Sequence, residues 1–232
     1  MSLFGQQQME SRGIDSVYIP HAIDTNKYKP TDKIQGKSTR KFMGIDEDDF
    51  LVGMVAANKA NGTIHRKAFA ENLMAFAVFV KSNPTAKLYI HSDPSKTYGG
   101  FDLGNLIKAV GIPEENVLFP NLLDLRYGFT ETHMAALYTA FDVLLSTSYG
   151  EGFGVPTIEA QACGTRVITS NWAASTNRVG SLASSGLGAV VEDLEVLFDL
   201  SLDCCAFVLV LRFIQGLVGV LDLGAYEVNS TF

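Results

Sequence analysis

Asp142-Val-Leu-Leu-Ser146 runs through Thr-Ser-Tyr-Gly150 into Glu151-Gly-Phe-Gly-Val-Pro-Thr-Ile-Glu159, then Ala-Gln-Ala-Cys-Gly164 and Thr165-Arg-Val-Ile-Thr169. The apolar run over residues 142–146 reads as a strand, and residues 148–154 as a glycine-bearing loop. Pro156 at the first turn and Gly164 just past the end bracket a helix over residues 156–163. Residues 166–169 read as the next strand. Strand, glycine loop, helix and strand together make the unit from which parallel sheets are built.

The same alternation extends upstream. Residues 50–57 form an uncharged apolar run, which fits a strand buried on both faces. After a loop over residues 58–66, Phe69, Leu73, Phe76, Ala77 and Val80 recur at helical spacing, and Asn83-Pro84 ends that helix. Residues 87–91 and 117–119 read as strands. Between them Asp102 is a candidate N-cap for a short helix stopped by Gly111 and Pro113. Residues 120–129 read as loop. Residues 130–141 read as a helix with Met134, Leu137, Tyr138 and Phe141 on one face. Residues 189–191 are a candidate sixth strand of this series. Residues 14–20 read as a further short strand closed by Pro20, and residues 24–49 as aperiodic loop. The expected fold class is therefore α/β, a Rossmann-like doubly wound parallel sheet with helices on both faces. Ligands in such sheets bind at the carboxyl ends of the strands, so the loops after positions 57, 91, 119, 146 and 169 are where function is expected.

Composition narrows the classes. With 232 residues, 47% hydrophobic, the chain can bury a full domain core. Its formal net charge of −7 argues against sequence-independent binding to nucleic acid, which needs a basic footprint. Three cysteines (Cys163, Cys204 and Cys205) give no disulfide framework, so a reducing, cytoplasmic compartment is expected. They and four scattered histidines lack any four-ligand zinc spacing. Residues 1–16 are expected to be a tag and linker remnant. Residues 193–232 form an apolar tail that fits a docked helix, a membrane-associated segment or non-native sequence, and nothing in it decides among them.

The chemistry concentrates after residue 146. Gly152 and Gly154 would let the backbone approach a ligand closely. The following helix start aims its amides and the positive end of its dipole at the same space, which suits a diphosphate. Phosphates would repel Glu151 and Glu159, so these two carboxylates are expected to face hydroxyl groups, such as those of a sugar and a ribose. The same residues also fit an ordinary connecting loop and a solvated helix face.

The segment from Glu151 to Glu159 resembles the E-x7-E signature of retaining GT-B glycosyltransferases of the sucrose-synthase-like and mannosyltransferase-like group. Val17-Tyr-Ile-Pro-His-Ala-Ile-Asp24 with Tyr28-Lys-Pro30 is similar to that family's entry into its C-terminal domain. Leu137-Tyr-Thr-Ala-Phe-Asp-Val-Leu-Leu-Ser146 and Cys163-Gly-Thr-Arg-Val-Ile168 resemble the flanks of the signature. The resemblance covers residues 17–192 and implies one half of a GT-B fold, the donor-binding half. It implies that Glu159 binds the ribose hydroxyls and that Glu151 sits near the donor sugar. The amides of Phe153, Gly154 and Val155, reached beside Gly152, would lie along sugar and phosphates. Cations after the first strand of the domain would neutralise the diphosphate. Lys59, Arg66 and Lys67 are the candidates, with Arg66 and Lys67 favoured at the helix start. The base pocket is expected near Asn121 and Leu123. The donor would be a nucleotide-diphosphate sugar, with retained anomeric configuration and no metal or other cofactor. The partner would be an N-terminal acceptor domain missing from this sequence, so the chain alone is expected to be inactive.

This sequence departs from the family's pattern at Ala57-Asn58, where a glycine-arginine pair is usual, at Ala22 and at Asn177. A non-catalytic nucleotide- or partner-binding module remains the rival reading. A generic dinucleotide-binding enzyme fits less well, because no G-x-G-x-x-G follows the first strand. His65, His91 and His133 read as loop or core histidines, His21 as a contact at the domain linker. Trp172 reads equally as a cleft wall or a packed aromatic.

Overall fold

The computed structural model describes residues 2–34, 36–60 and 65–170, and the backbone of residues 188–191. Trp172, Asn177 and the tail over residues 193–232 lie outside the described residues.

Helix α1 (Leu3–Glu10) precedes an extended stretch, a two-stranded hairpin of β1 (Lys33–Ile34) and β2 (Lys37–Ser38), and α2 (Thr39–Met43). The main sheet follows: β3 (Leu51–Val55), α3 (Phe69–Ser82), β4 (Lys87–His91), α4 (Leu103–Val110), β5 (Val117–Leu118), α5 (Leu122–Tyr127), α6 (Glu131–Ala140), β6 (Val143–Ser146), α7 (Val155–Ala162), β7 (Arg166–Ser170) and β8 (Gly188–Val191). The strand order is β5-β4-β3-β6-β7-β8, and every pairing is parallel. The chain winds outward from β3 in one direction, then returns beside β3 and winds in the other. The strand order therefore reverses between β3 and β6, and the crevice outside their carboxyl ends is the topological switch point.

Period-2 alternation along each strand divides the core into two layers. Val52, Met54, Leu88, Ile90, Val143, Leu145 and Ile168 pack on one face with α3 and α4 residues such as Phe69, Leu73, Phe76 and Ile107. Leu51, Tyr89, Leu144 and Val167 pack on the other with Ala135, Leu137 and Tyr138 of α6 and Ala160 of α7. Gly53 faces this second layer, and a Cβ there would lie 2.2 Å from the Phe141 ring. The strand keeps glycine at its centre because the aromatic ring occupies that space.

The sheet is pinned at its amino-terminal edge, opposite the switch point. Asp142 accepts from the Leu51 amide at 2.7 Å and from Arg40 Nη2 at 2.6 Å. Arg40 also donates to the carbonyls of Glu47, Asp49 and Ala140. Asp142 thus holds β3 and β6 in register from below the site.

Three expectations need correcting. Residues 14–20 form no strand: Val17 and Ile19 are 83% and 73% exposed, so the apolar alternation there finds no sheet to join. Residues 24–49 are not wholly loop, since β1, β2 and α2 lie within them. Residues 120–129 contain α5, whose cap is Asn121 accepting from the Leu123 amide at 2.8 Å. Elsewhere the expected elements form. Asp102 caps α4 by accepting from Asn105, and Gly111 ends it at a left-handed φ of 79°.

Candidate functional site

The loops leaving β3 and β6 meet at the switch point. The Tyr149 amide donates to the Arg66 carbonyl at 2.9 Å. Buried Asn72, in the first turn of α3, reaches the carbonyls of Lys67 and Thr147, each at 3.4 Å, and accepts from the Thr147 hydroxyl. Ala68, between Lys67 and α3, has a left-handed φ of 50°. That conformation costs a residue with a β-carbon about 1–2 kcal/mol, and the ties on either side hold it in place.

These ties bring Arg66, Lys67 and Glu151 together. Lys67 Nζ lies 2.5 Å from Glu151 Oε1, and Arg66 Nη1 lies 3.1 Å from Glu151 Oε2. Arg66 also donates to the Gly150 carbonyl, and Ser148 Oγ donates to Glu151 Oε1 at 2.9 Å. The Glu151 side chain is 11% exposed, Lys67 18% and Arg66 47%. Burial raises the Glu151 pKa, but the hydrogen bonds and charges of Lys67, Ser148 and Arg66 outweigh it and hold the carboxyl below its ordinary value.

A cavity of about 590 Å3 opens beside this cluster. That volume is in the range of small-molecule sites. Lys59, Arg66 and Lys67 line it from the β3 loop, and Pro156 lines it from the first turn of α7. His91, Ser92 and Asp93 line it from the end of β4, with Tyr98 and Leu125 beyond. Gly154 caps α7 at a left-handed φ of 75°. Gly152 is exposed, and a Cβ added there would meet no protein atom within 4 Å. The space in front of this loop is open to a ligand. His21 packs edge-on against Phe153 at 4.9 Å between ring centroids, so the stretch leading into the domain touches the glycine loop.

Glu159 lies on the second turn of α7, on the α6 side. Its Oε2 accepts from the Tyr138 hydroxyl at 2.7 Å, and the Tyr28 phenol, its pKa raised by burial and by the same carboxylate, stands nearby. Glu159 is not among the residues lining the cavity, and neither are Asn121 and Leu123. Leu123 points outward with its amide on the Asn121 cap, and Leu125 faces the cavity in its place.

Sequence reasoning missed three residues here. Asn58, at the departure from the glycine-arginine pair, is buried and clamps the β4–α4 loop. Its Nδ2 donates to the carbonyls of Asp93, Ser95 and Phe101, and its Oδ1 accepts from the Phe101 amide. Gly100 is required opposite it, since a Cβ there would lie 2.1 Å from Asn58 Oδ1. His91, at the cavity wall, packs edge-on against Phe129 at 4.8 Å and hydrogen-bonds through Nδ1 to the Tyr89 hydroxyl at 3.1 Å. Burial lowers its pKa to about 4, so it is neutral at pH 7. Ser148 is the third. Its only sequence signal is that it lies three residues before Glu151. Among the described residues no three His, Cys, Asp or Glu side chains gather as metal ligands, and no helix is long and apolar enough to cross a membrane. His65 stacks on Phe101 at 3.8 Å.

The comparisons with known proteins agree with this architecture. Residues 62–198 match the family described as glycosyl transferases group 1, and the chain belongs to that family. It is 28% identical over 172 residues to D-inositol 3-phosphate glycosyltransferase 2 of Catenulispora acidiphila, covering 70% of this chain and 34% of that protein. The chain thus spans about a third of the length of this curated relative. Among solved structures, it is similar to sucrose-phosphate synthase from Thermosynechococcus elongatus, with a TM-score of 0.62 and 19% identity. That match covers 94% of this chain and 48% of the synthase chain. It is also similar to the C-terminal domain of a glycosyl transferase group 1 family protein from Francisella tularensis, with a TM-score of 0.56 and 19% identity, over 90% of this chain and all of that domain. The fold is that of one half of a GT-B glycosyltransferase.

Proposed function

We propose that this domain binds the nucleoside diphosphate portion of a nucleotide sugar and is the donor half of a retaining glycosyltransferase. The observation that carries the reading is the convergence of Arg66, Lys67 and Glu151 at the switch point, beside a cavity of fitting size and the start of α7. Arg66 and Lys67, with Lys59 nearby, would neutralise the diphosphate as it leaves, so the reading needs no metal. The amides of Phe153, Gly154 and Val155 would lie along the phosphates and sugar. Glu151 would contact sugar hydroxyls, and Glu159 the ribose. The base would occupy the part of the cavity walled by His91 and Leu125, with Asn121 acting only through its cap of the helix that carries Leu125. An acceptor hydroxyl would come from the other half of a GT-B fold, facing this site across the cleft. The expected setting is the cytoplasm.

The test is calorimetric titration with UDP, GDP and ADP, then with the corresponding nucleotide sugars, using Glu159→Ala as control. Saturable binding of one nucleotide, weakened at least tenfold in the variant, supports the reading. A folded sample that binds none of them overturns it.

A further inference from the structure

Glu159 occupies an unusual setting for a helix-surface glutamate. Its carboxylate accepts from the Tyr138 hydroxyl at 2.7 Å, with the Tyr28 phenol nearby, and both rings belong to the buried layer under α6 and α7. The two rings pack against each other with centroids 6.4 Å apart, and Tyr138 sits edge-on against Phe141 at 6.2 Å. The Tyr138 carbonyl accepts from the buried Thr165 hydroxyl, which ties α6 to the turn ahead of β7. Tyr138 is therefore fixed at both ends, by its backbone and by its ring. Burial first, and the neighbouring carboxylate after it, push both phenols above their ordinary value, so each remains a proton donor across the neutral range.

A carboxylate offers about four acceptor positions. The Tyr138 phenol fills one of them and leaves the rest for donors arriving from the half-exposed side of Glu159. We infer that Tyr138, assisted by Tyr28, is the positioning residue that holds the Glu159 carboxylate in one orientation, with its remaining acceptor positions presented to a vicinal diol. A free glutamate on a helix samples several rotamers, and each must be given up when a rigid pair of hydroxyls binds. Here the Tyr138 hydroxyl, with the Tyr28 ring packed beside its own, fixes the rotamer before the ligand arrives. The inference rests on the reading of Glu159 as the ribose ligand.

The experiment compares a ribonucleoside diphosphate with its 2′,3′-dideoxy counterpart by calorimetry, using whichever of UDP, GDP or ADP the parent chain binds. The readout is the ratio of the two affinities. The parent is expected to favour the ribonucleotide, and Glu159→Gln to bring the ratio close to one. Tyr138→Phe keeps the ring and its packing and removes only the hydroxyl. It is expected to lower the ratio roughly tenfold, the scale of one hydrogen bond to a charged group, with dideoxynucleotide affinity unchanged. Tyr28→Phe provides the same readout with a smaller drop, and it decides the matter if Tyr138→Phe does not fold. A ratio lost in Glu159→Gln but retained in both tyrosine variants overturns the inference while leaving the ribose reading intact. A parent ratio of one, or a Glu159→Gln ratio equal to the parent's, overturns the ribose reading and this inference with it. A purely structural role for Tyr138 would weaken both nucleotides equally, which also overturns the inference.

Discussion

Glu151 and Glu159 are eight positions apart in one motif, yet the fold gives them opposite partners. Glu151 stands in a loop at the switch point and is matched by two cations on movable side chains, Lys67 and Arg66. Glu159 stands on a helix and is matched by a neutral phenol set in the core, Tyr138, with Tyr28 packed beside it. The difference bears on what each can do when a ligand arrives. An ion pair can be exchanged, because an incoming phosphate offers the cations the same charge that Glu151 offers. The Tyr138 hydroxyl belongs to a fully buried side chain that cannot turn out to meet an incoming phosphate, so its contact with Glu159 would survive binding and leave the carboxylate an acceptor for hydroxyls.

The largest expected effect on binding comes from removing the cationic side of that comparison. The double variant Arg66→Ala/Lys67→Ala should weaken nucleoside diphosphate binding about 100-fold, equivalent to about 2.7 kcal/mol, by removing both counter-charges of the diphosphate. Titration calorimetry checks it. Unchanged affinity would mean that the phosphates lie elsewhere and that the pair serves only Glu151.

His91 extends the comparison to a group without a charged partner. It has Phe129 and the Tyr89 hydroxyl beside it, and burial lowers its pKa from 6.5 to about 4. The unfolded chain therefore binds a proton between those two values that the folded chain refuses. Stability should be complete above pH 6.5 and fall as the pH drops towards 4, by about 3 kcal/mol. Glu151, held below its ordinary 4.5, contributes stability above that value and loses it only as the pH falls further, through its folded pKa. Denaturant unfolding at a series of pH values separates the two windows. His91→Phe should flatten the upper one and leave the lower unchanged.

Two glycines, one in the middle of β3 and one in the loop between β6 and α7, carry the comparison to the backbone. At Gly53 a methyl group would collide with Phe141, so Gly53→Ala should destabilise the fold. At Gly152 a methyl group would touch nothing within 4 Å. Gly152→Ala should leave the melting temperature unchanged and weaken nucleotide-sugar binding about tenfold if the backbone lies against the donor, a loss of about 1.4 kcal/mol. Thermal melting and titration of the same sample check both halves of that statement.

The sheet was legible in the sequence because each core strand is a short apolar run between recognisable helix stops, and because Asp102 and Gly111 mark a helix from both ends. The signature loop was legible because glycine, proline and two carboxylates fall at fixed spacing. What escaped depends on distance across the fold. Val17 and Ile19 alternate like a strand, but a strand exists only with a neighbour to pair with, and no local rule reveals its absence. The six residues of α5 are too few to show a period, so only the Asn121 cap could have signalled them. Asn58 looked like a departure from a family pattern, and its role as a clamp depends on carbonyls more than thirty positions away. Tyr138 was readable as a core residue of its helix. That its hydroxyl ends on Glu159 follows only once α6 and α7 are side by side.

The smallest effect tests the exchange most directly. Glu151→Gln keeps the shape of the side chain and removes one negative charge from beside Lys67 and Arg66. If Glu151 competes with phosphate for those cations, the variant should bind a free nucleoside diphosphate about three- to fivefold more tightly, a gain of under about 1 kcal/mol. The gain is limited because Arg66 is nearly half exposed and solvent screens its share of the interaction. The gain should also shrink as salt is added, since an ionic competition between partly exposed groups is screened. For a nucleotide sugar the variant should gain less, because the same change weakens the acceptor offered to the sugar hydroxyls. The ratio of the two affinities, measured by calorimetry at low and high salt, thus separates the two roles of Glu151. A variant that binds both ligands more tightly by the same factor would reduce Glu151 to a charge competitor, with no contact to the sugar.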